Sequence, residues 1–378
     1  MTYSDRMTRR SHRKSRVGCV QCKQRHVKCD EAYPVCRLCA NSDRECSFSA
    51  ASAPSPSSVL TPGPDLSPPP TTPSALDAPL NLHHIDLLLH LHSISAICNL
   101  SVGVGNRLSN LLFALQTGLS APYLLHQLLA LSARHLAALH PSKSPTYLHL
   151  ATTLQTRAIS LFNATALTAI DRSNCVAVLL FSSVLGHHLL ADTLTRRDHA
   201  SLDGFLAHYV QAMEVNRGVY VVSMASWPLL MTTEVGPTIA ASAEFTRREG
   251  RGGHCDVLRE LFGRAMGLTD VEREVCVRAV RHLQVGFDAV EEVDREDEYR
   301  FQMILSWTML APKELGGLLV GKRPEVLVML GYYALLLDLG RGMWQVGDAG
   351  RYVLGLVVGG LPVEWHAWLA YPRERMGV

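Results

Sequence analysis

The sequence predicts a chain in three parts: a small cysteine-built module at the amino terminus, a disordered linker, and a large all-α body. Three observations carry this. Six of the ten cysteines fall within residues 19–46; residues 47–80 hold nine Pro, eight Ser and three Thr without one Lys or Arg; and from residue 81 apolar residues recur at helical spacing. A length of 378 residues suits one small module plus one large one better than a single compact domain. The 47% hydrophobic share is ordinary and the 19% charged share is low, which excludes wholesale disorder.

The amino-terminal part is cationic. Residues 1–46 carry 11 Lys+Arg against 5 Asp+Glu, leaving 25 against 29 for the remainder, so the formal charge of +2 hides a strong asymmetry. Positive charge concentrated at one end suits a chain of which only that end meets a polyanion. Residues 1–18 form a basic arm with no apolar run suited to secretion, and an intracellular protein is expected. Within it Arg9, Arg10, Arg13, Lys14 and Arg16 suit a nuclear import signal, an electrostatic arm along phosphates, or both. The uncharged stretches 87–106 and 173–191 are broken by His, Ser or Asn on a helical period and read as buried helices rather than bilayer spans, so no membrane partner is expected. In a reducing compartment, ten cysteines are better explained by metal or isolated thiols than by disulfides.

Cys19, Cys22, Cys29, Cys36, Cys39 and Cys46 are spaced C-x2-C-x6-C-x6-C-x2-C-x6-C, one three-cysteine unit written twice. Two thiolates at the start of a helical turn grip one ion, and a third returning later completes a face of a tetrahedron, a geometry that zinc favours. Two separate tetrahedra need eight ligands. Six thiolates therefore hold two Zn2+ only if two sulfurs bridge, giving a cluster of charge −2 over residues 19–46. Such a cluster meets DNA only if cations surround it, and from Arg6 to Lys28 there are nine Lys+Arg and no acid. The first six-residue gap holds Lys23, Gln24, Arg25, His26, Val27 and Lys28, whereas the second holds Asp43 and Glu45. The first half is expected to face phosphates and the second to act as scaffold. Other cysteine-rich zinc modules bind proteins, but with eight-ligand layouts and no such basic run.

From Gly18 to Cys46, Pro34 included, the pattern resembles the fungal binuclear zinc cluster (Zn2Cys6) transcription factors. The resemblance implies that Cys19 and Cys36 bridge, one zinc taking Cys19, Cys22, Cys29 and Cys36 and the other Cys19, Cys36, Cys39 and Cys46. It also implies that the end of the first short helix enters the major groove of double-stranded DNA, with Arg25 and His26 at the positions that read a CGG-like triplet. Arg25 can bond bidentately to guanine O6 and N7. His26 stands where Lys or Arg is usual. Lys23 and Lys28 become phosphate or groove contacts, with Lys14 and Arg16 of the arm beside them.

The linker composition cannot bury enough apolar area to offset its ordering entropy, which makes it a tether spanning roughly 30 to 35 Å if flexible. Ser55, Thr61, Ser67 and Thr72 each precede a proline, a phosphorylation pattern that composition alone also produces. Leu80, Leu87 and Ile94 lie seven apart, but Pro79 and the short run favour the first helix of the body over a dimerising coiled coil.

The body, residues 81–378, is predicted to be all-α with ten to fourteen helices, the clearest at about 85–98, 106–118, 146–170, 173–191, 201–215, 269–290, 300–311 and 325–338, together with one behind Pro122. Glu249 to Gly253 reads as a flexible loop. The stretch His84 to Leu139, with its Leu124 to Ala133 run, and the Gly331 to Ala334, Trp344 and Trp365 to Pro372 signals resemble the regulatory body of sterol-uptake-type fungal regulators. That resemblance implies a regulatory domain governing homodimer formation and activation in the nucleus, in a pathway of sterol or secondary metabolism. Met303, Trp307, Met329 and Tyr333 are candidates to line a pocket for an apolar small molecule; Met and aromatic residues at this spacing are also what a core needs. The competing reading makes the body a ligand-sensing receptor that gates the DNA-binding module.

No catalytic constellation emerges, and an enzyme is not expected. Gly316 to Lys322 imitates a phosphate loop but lacks the following Ser or Thr, and Gly103 to Gly105 lacks the third glycine of a dinucleotide site. The His83–His84 and His187–His188 pairs lack the offset that puts two ligands on one helical face. Cys98, Cys175, Cys255 and Cys276 read as isolated thiols. Asp288 to Glu298, with seven acids, reads as a solvated helix end or an acidic activation segment.

Overall fold

The computed structural model describes residues 18–32, 34–42, 44–48, 81–93, 107–165, 170–197, 201–292 and 297–378. The basic arm with Lys14 and Arg16, the linker beyond residue 48, Leu80, Ile94, Cys98 and Gly103 to Gly105 lie outside them. The chain divides into two compact units, Met1–Ala78 and Pro79–Val378.

The first unit contains two short helices, α1 (Val20–Gln24) and α2 (Arg37–Ala40). Each begins behind a cysteine in extended conformation whose sulfur accepts the amide of the next cysteine, Cys19 from Cys22 and Cys36 from Cys39. The sulfurs thus act as N-caps, satisfying donors that a helix start leaves without an internal partner.

The second unit is helical, without a strand among its described residues. It opens with α3 (Leu82–Ser93), α4 (Arg107–Ser120), α5 (Pro122–Leu139), α6 (Ser144–Thr165), α7 (Cys175–Thr195) and α8 (Leu202–Ala225). There follow α9 (Trp227–Leu230), α10 (Gly236–Thr246), α11 (Asp256–Arg264), α12 (Asp270–Glu291) and α13 (Asp297–Leu310). The unit closes with α14 (Leu315–Val320), α15 (Pro324–Leu339), α16 (Ala349–Gly360) and α17 (Ala370–Met376). The helix total exceeds expectation because short pieces such as α9 are too brief to show a period. Local chemistry starts the long helices: Pro122 and Pro324 occupy first-turn positions. Ser201 caps α8. Thr269 and Glu272 form a reciprocal capping box on α12.

Among the described residues two large apolar cores result, beside a smaller cluster around Cys175, Leu179 and Leu230. One gathers α3 to α7 around Leu87, Leu91, Leu124, Leu128 and Phe181. The other surrounds α15, which is buried along every residue from Glu325 to Asp338 and therefore shows no polar stripe. Helix α16 crosses α15 closely at Gly350, where a Cβ would meet the Ala334 carbonyl oxygen at 2.5 Å. Leu87 packs inward against α5, so α3 is the first helix of this body. Helix α7 is long and apolar enough to cross a membrane by composition, but 61% of its apolar window is buried inside the unit.

A polar seam runs through the first core. Arg134 is ion-paired with Asp192 and bonds Thr195. Gln127 donates to His188 Nδ1 at 3.2 Å, leaving the proton on Nε2, 3.6 Å from Asp192. His135 meets His90 at 3.1 Å and packs against the ring of Trp344. His188 is thereby a structural residue.

The Glu249 to Gly253 loop departs from expectation. Asp288 accepts from the Arg251 amide at 2.6 Å and the Gly252 amide at 3.0 Å, and Gln284 holds the Cys255 amide at 2.9 Å. Charge-assisted carboxylate-to-amide bonds fix a segment whose glycines suggested freedom. The same contacts, with Glu291 on His254 and Glu292 on Arg248, assign structural work to the start of the acidic stretch. Residues 293–296 lie outside the description.

Trp307, Met329 and Tyr333 are core residues: Trp307 donates to the Ala279 carbonyl at 2.9 Å and stacks on Tyr333. The Met303 side chain is not described. The Gly316 to Lys322 stretch is α14 and its exit turn, with Lys322 paired to Asp203 at 2.9 Å.

Candidate metal centre and nucleic-acid interface

The six cysteines form the interior of the first unit, all of them buried, with Phe48 packed against them. Cys19 and Cys36 lie at the middle. Their sulfurs are 3.7 Å apart, Cys19 is 3.7 Å from Cys39, and Cys36 is 3.6 Å from Cys22. Cys29 and Cys46 each interact with both Cys19 and Cys36. The contacts of Cys22 run to Cys19, Cys36 and Cys29, and those of Cys39 to Cys36, Cys19 and Cys46. The sulfurs of Cys19, Cys22, Cys36 and Cys39 all lie within 4.8 Å of one another, and Cys29 lies equally near Cys36.

This donor set fits zinc on chemical grounds. Buried sulfurs at van der Waals separation have no disulfide among them and no apolar reason to converge. Burial and the Cys19 and Cys29 thiols push Cys22 up to about 12, so a cation is what makes such a crowd of thiolates stable. Bound zinc supplies folding energy and rigidity rather than reactivity. Asp30 also approaches Cys29 and Cys36, but its carboxylate accepts the Arg37 amide at 3.1 and 3.3 Å and so caps α2.

Residues 17–55 match the family model described as the fungal Zn(2)-Cys(6) binuclear cluster domain. The amino-terminal module is a fungal binuclear zinc cluster. A Zn(2)-C6 fungal-type transcription factor, afumD, of Aspergillus fumigatus is 32% identical over 139 residues, 36% of this chain and 36% of that protein. Another from Gibberella zeae is 56% identical over 41 residues, 11% of this chain and 8% of the relative. Sterol uptake control protein 2 of Saccharomyces cerevisiae is 52% identical over 40 residues, 11% and 4% of the two chains. The chain thus spans about a third of the length of the first relative and less of the others. No solved structure matches. The family holds two zinc ions, and these relatives are transcription factors, a class without enzymatic activity.

Around the zinc cluster, Lys23, Arg25, His26 and Lys28 are all exposed. Arg25 closes α1, with Nη1 3.5 Å from Ser42 Oγ. His26 has a role that its side chain did not announce. Its φ is +53°, its amide bonds Lys23 O at 3.2 Å, and the Val27 amide bonds Cys22 O at 3.1 Å. These are the paired bonds of a left-handed helix stop, a place usually held by Gly and sometimes Asn. At its other end α1 is clasped to the exit of the zinc cluster: the Val20 amide donates to Ser47 Oγ and the Ser47 amide to Gln21 Oε1, both at 2.9 Å. Neither the helix stop nor the clasp is signalled by the cysteine spacing.

Proposed function

We propose that the chain is a nuclear, sequence-specific regulator of RNA polymerase II transcription. The observation that carries this reading is an exposed cationic helix end fixed on six converging sulfurs. In it Cys19 and Cys36 bridge two zinc ions, Cys22 and Cys29 complete one tetrahedron, and Cys39 and Cys46 complete the other. Arg25 reads guanine in a CGG-like half-site, His26 borders it, and Lys23, Lys28, Lys14 and Arg16 engage phosphates. Residues 1–18 serve as the basic arm, 19–46 as the cluster domain, 47–80 as the tether and 81–378 as a regulatory body that governs dimer formation. The likeness to sterol uptake control protein 2 favours a pathway-specific role in sterol metabolism, with secondary metabolism as the alternative. A receptor role loses its candidate lining, since Trp307, Met329 and Tyr333 fill the core.

The test is a binding experiment on the full chain. With two zinc ions per chain, it should shift a CGG-containing duplex in preference to a scrambled one. Equal binding to both at full zinc loading rejects sequence-specific recognition.

A further inference from the structure

Ser42 sits in the second half of the cluster domain, exposed, four residues past Leu38. Its hydroxyl donates to the Leu38 carbonyl at 2.7 Å and lies 3.5 Å from Arg25 Nη1. The sequence after it, Asp43-Arg44-Glu45, puts carboxylates one and three positions downstream, the arrangement that acidophilic serine kinases bind through their own basic residues. An accessible serine with acids one and three positions downstream thus lies within a hydrogen bond's reach of the guanidinium proposed for base recognition.

We propose that Ser42 is a phosphorylation site whose phosphate captures Arg25 and withdraws it from DNA. The inference rests on Arg25 being the base contact. In the transfer, Ser42 Oγ forms a bond to the terminal phosphorus of a nucleoside triphosphate, the bridging P–O bond breaks, nucleoside diphosphate leaves, and the hydroxyl proton passes to the kinase's base. The product carries about −1.5 to −2 charge and three strong acceptor oxygens. A guanidinium offers a planar fork that matches them bidentately, whereas the neutral hydroxyl offers it one long contact. The hydroxyl's bond to Leu38 is given up, at an exposed site where water replaces it. The second half of the cluster domain would then act as scaffold and also carry the group that disarms the first.

The experiment uses the zinc-loaded full chain with phosphoserine installed at position 42, beside unmodified protein, Ser42→Ala, Arg25→Ala and the doubly altered chain. Phosphorylation should lower affinity for the CGG duplex at least tenfold, lower its preference over a scrambled duplex, and add no further loss of preference in the Arg25→Ala background. Ser42→Ala should bind as the unmodified chain does. In protein selectively labelled at arginine, the Arg25 Nε–H resonance should shift on phosphorylation without DNA. If that resonance is unmoved, or if the affinity loss persists undiminished in Arg25→Ala, the capture is overturned. If the resonance moves but unmodified protein shows no CGG preference, the capture stands and the assignment of Arg25 to base reading fails. An acidophilic serine kinase supplied with magnesium ATP should modify Ser42 in the folded chain; absence of phosphate there by peptide mapping overturns the site itself.

Discussion

Cys19 and Cys36 face each other at 3.7 Å, each capping the helix that carries its neighbouring cysteine, so the two halves of the cluster domain meet through their first sulfurs. Within the module, Cys39 lies 3.7 Å from Cys19 and Cys22 lies 3.6 Å from Cys36. Replacing a shared sulfur should therefore damage both metal positions at once. Cys19→Ser or Cys36→Ser is expected to drop zinc from two ions per chain to one or none and to abolish DNA binding, measured by metal analysis and gel shift. Cys276→Ser, in the core of the second unit, should leave zinc content unchanged.

Arg25 and Lys28 should fail differently on DNA. Arg25→Ala is expected to cost about 1 to 3 kcal/mol on the cognate duplex and to relax preference at one base position. Lys28→Ala should weaken specific and random duplexes alike and reduce the salt slope by about one. Equal losses on both duplexes for both variants would contradict this division.

His26 carries a backbone strain that glycine would relieve. His26→Gly should hold zinc at least as tightly as the parent, read by competition with a chelator, while His26→Val weakens it, because a β-branched residue resists a φ of +53°.

Acid should destabilise the second unit through His135 and His188. Burial, then His90 and Arg134, hold His135 down at about 4. Burial holds His188 at about 4 too, with Arg134 adding to the effect and Asp192 opposing it. Both rings are neutral when folded, whereas an unfolded ring titrates near 6.5. The unfolded chain therefore binds more protons below that value. Stability is complete above about pH 6.5 and falls as pH drops towards 4, by about 2 kcal/mol per ring at pH 5. A melting series by circular dichroism checks the sign, and His188→Gln should flatten the dependence.

Two glycines of α16 make a paired test of packing. Gly350→Ala drives a methyl into Ala334 O at 2.5 Å and Asp338 N at 2.7 Å, main-chain atoms that cannot swing aside. A loss of about 1 to 3 kcal/mol is expected in denaturant melts. Gly355→Ala meets nothing within 4 Å and should be neutral or stabilising by up to about 1 kcal/mol.

The metal centre was legible because ligand spacing is a one-dimensional signal. Six thiols at fixed offsets name their chemistry before any fold is known, and the apolar period at about 269–290 likewise announces α12. What escaped depended on partners distant in sequence or on backbone state. His26 occupies a left-handed position with a side chain that rarely takes one, so it read only as a base contact. The Glu249 to Gly253 loop read as loose from its glycines, since the carboxylate that fixes it belongs to Asp288 on another element. Helix α16 was missed because five of its twelve residues are glycine or alanine, and its burial comes from the crossing with α15.

The bonds from Ser47 to Val20 and Gln21 set a boundary for anyone excising the DNA-binding piece. A peptide ended at Cys46 would keep all six sulfurs, yet α1 would lose both bonds that anchor its start to the exit of the module. Carrying the cut past Phe48 retains the latch that aims it.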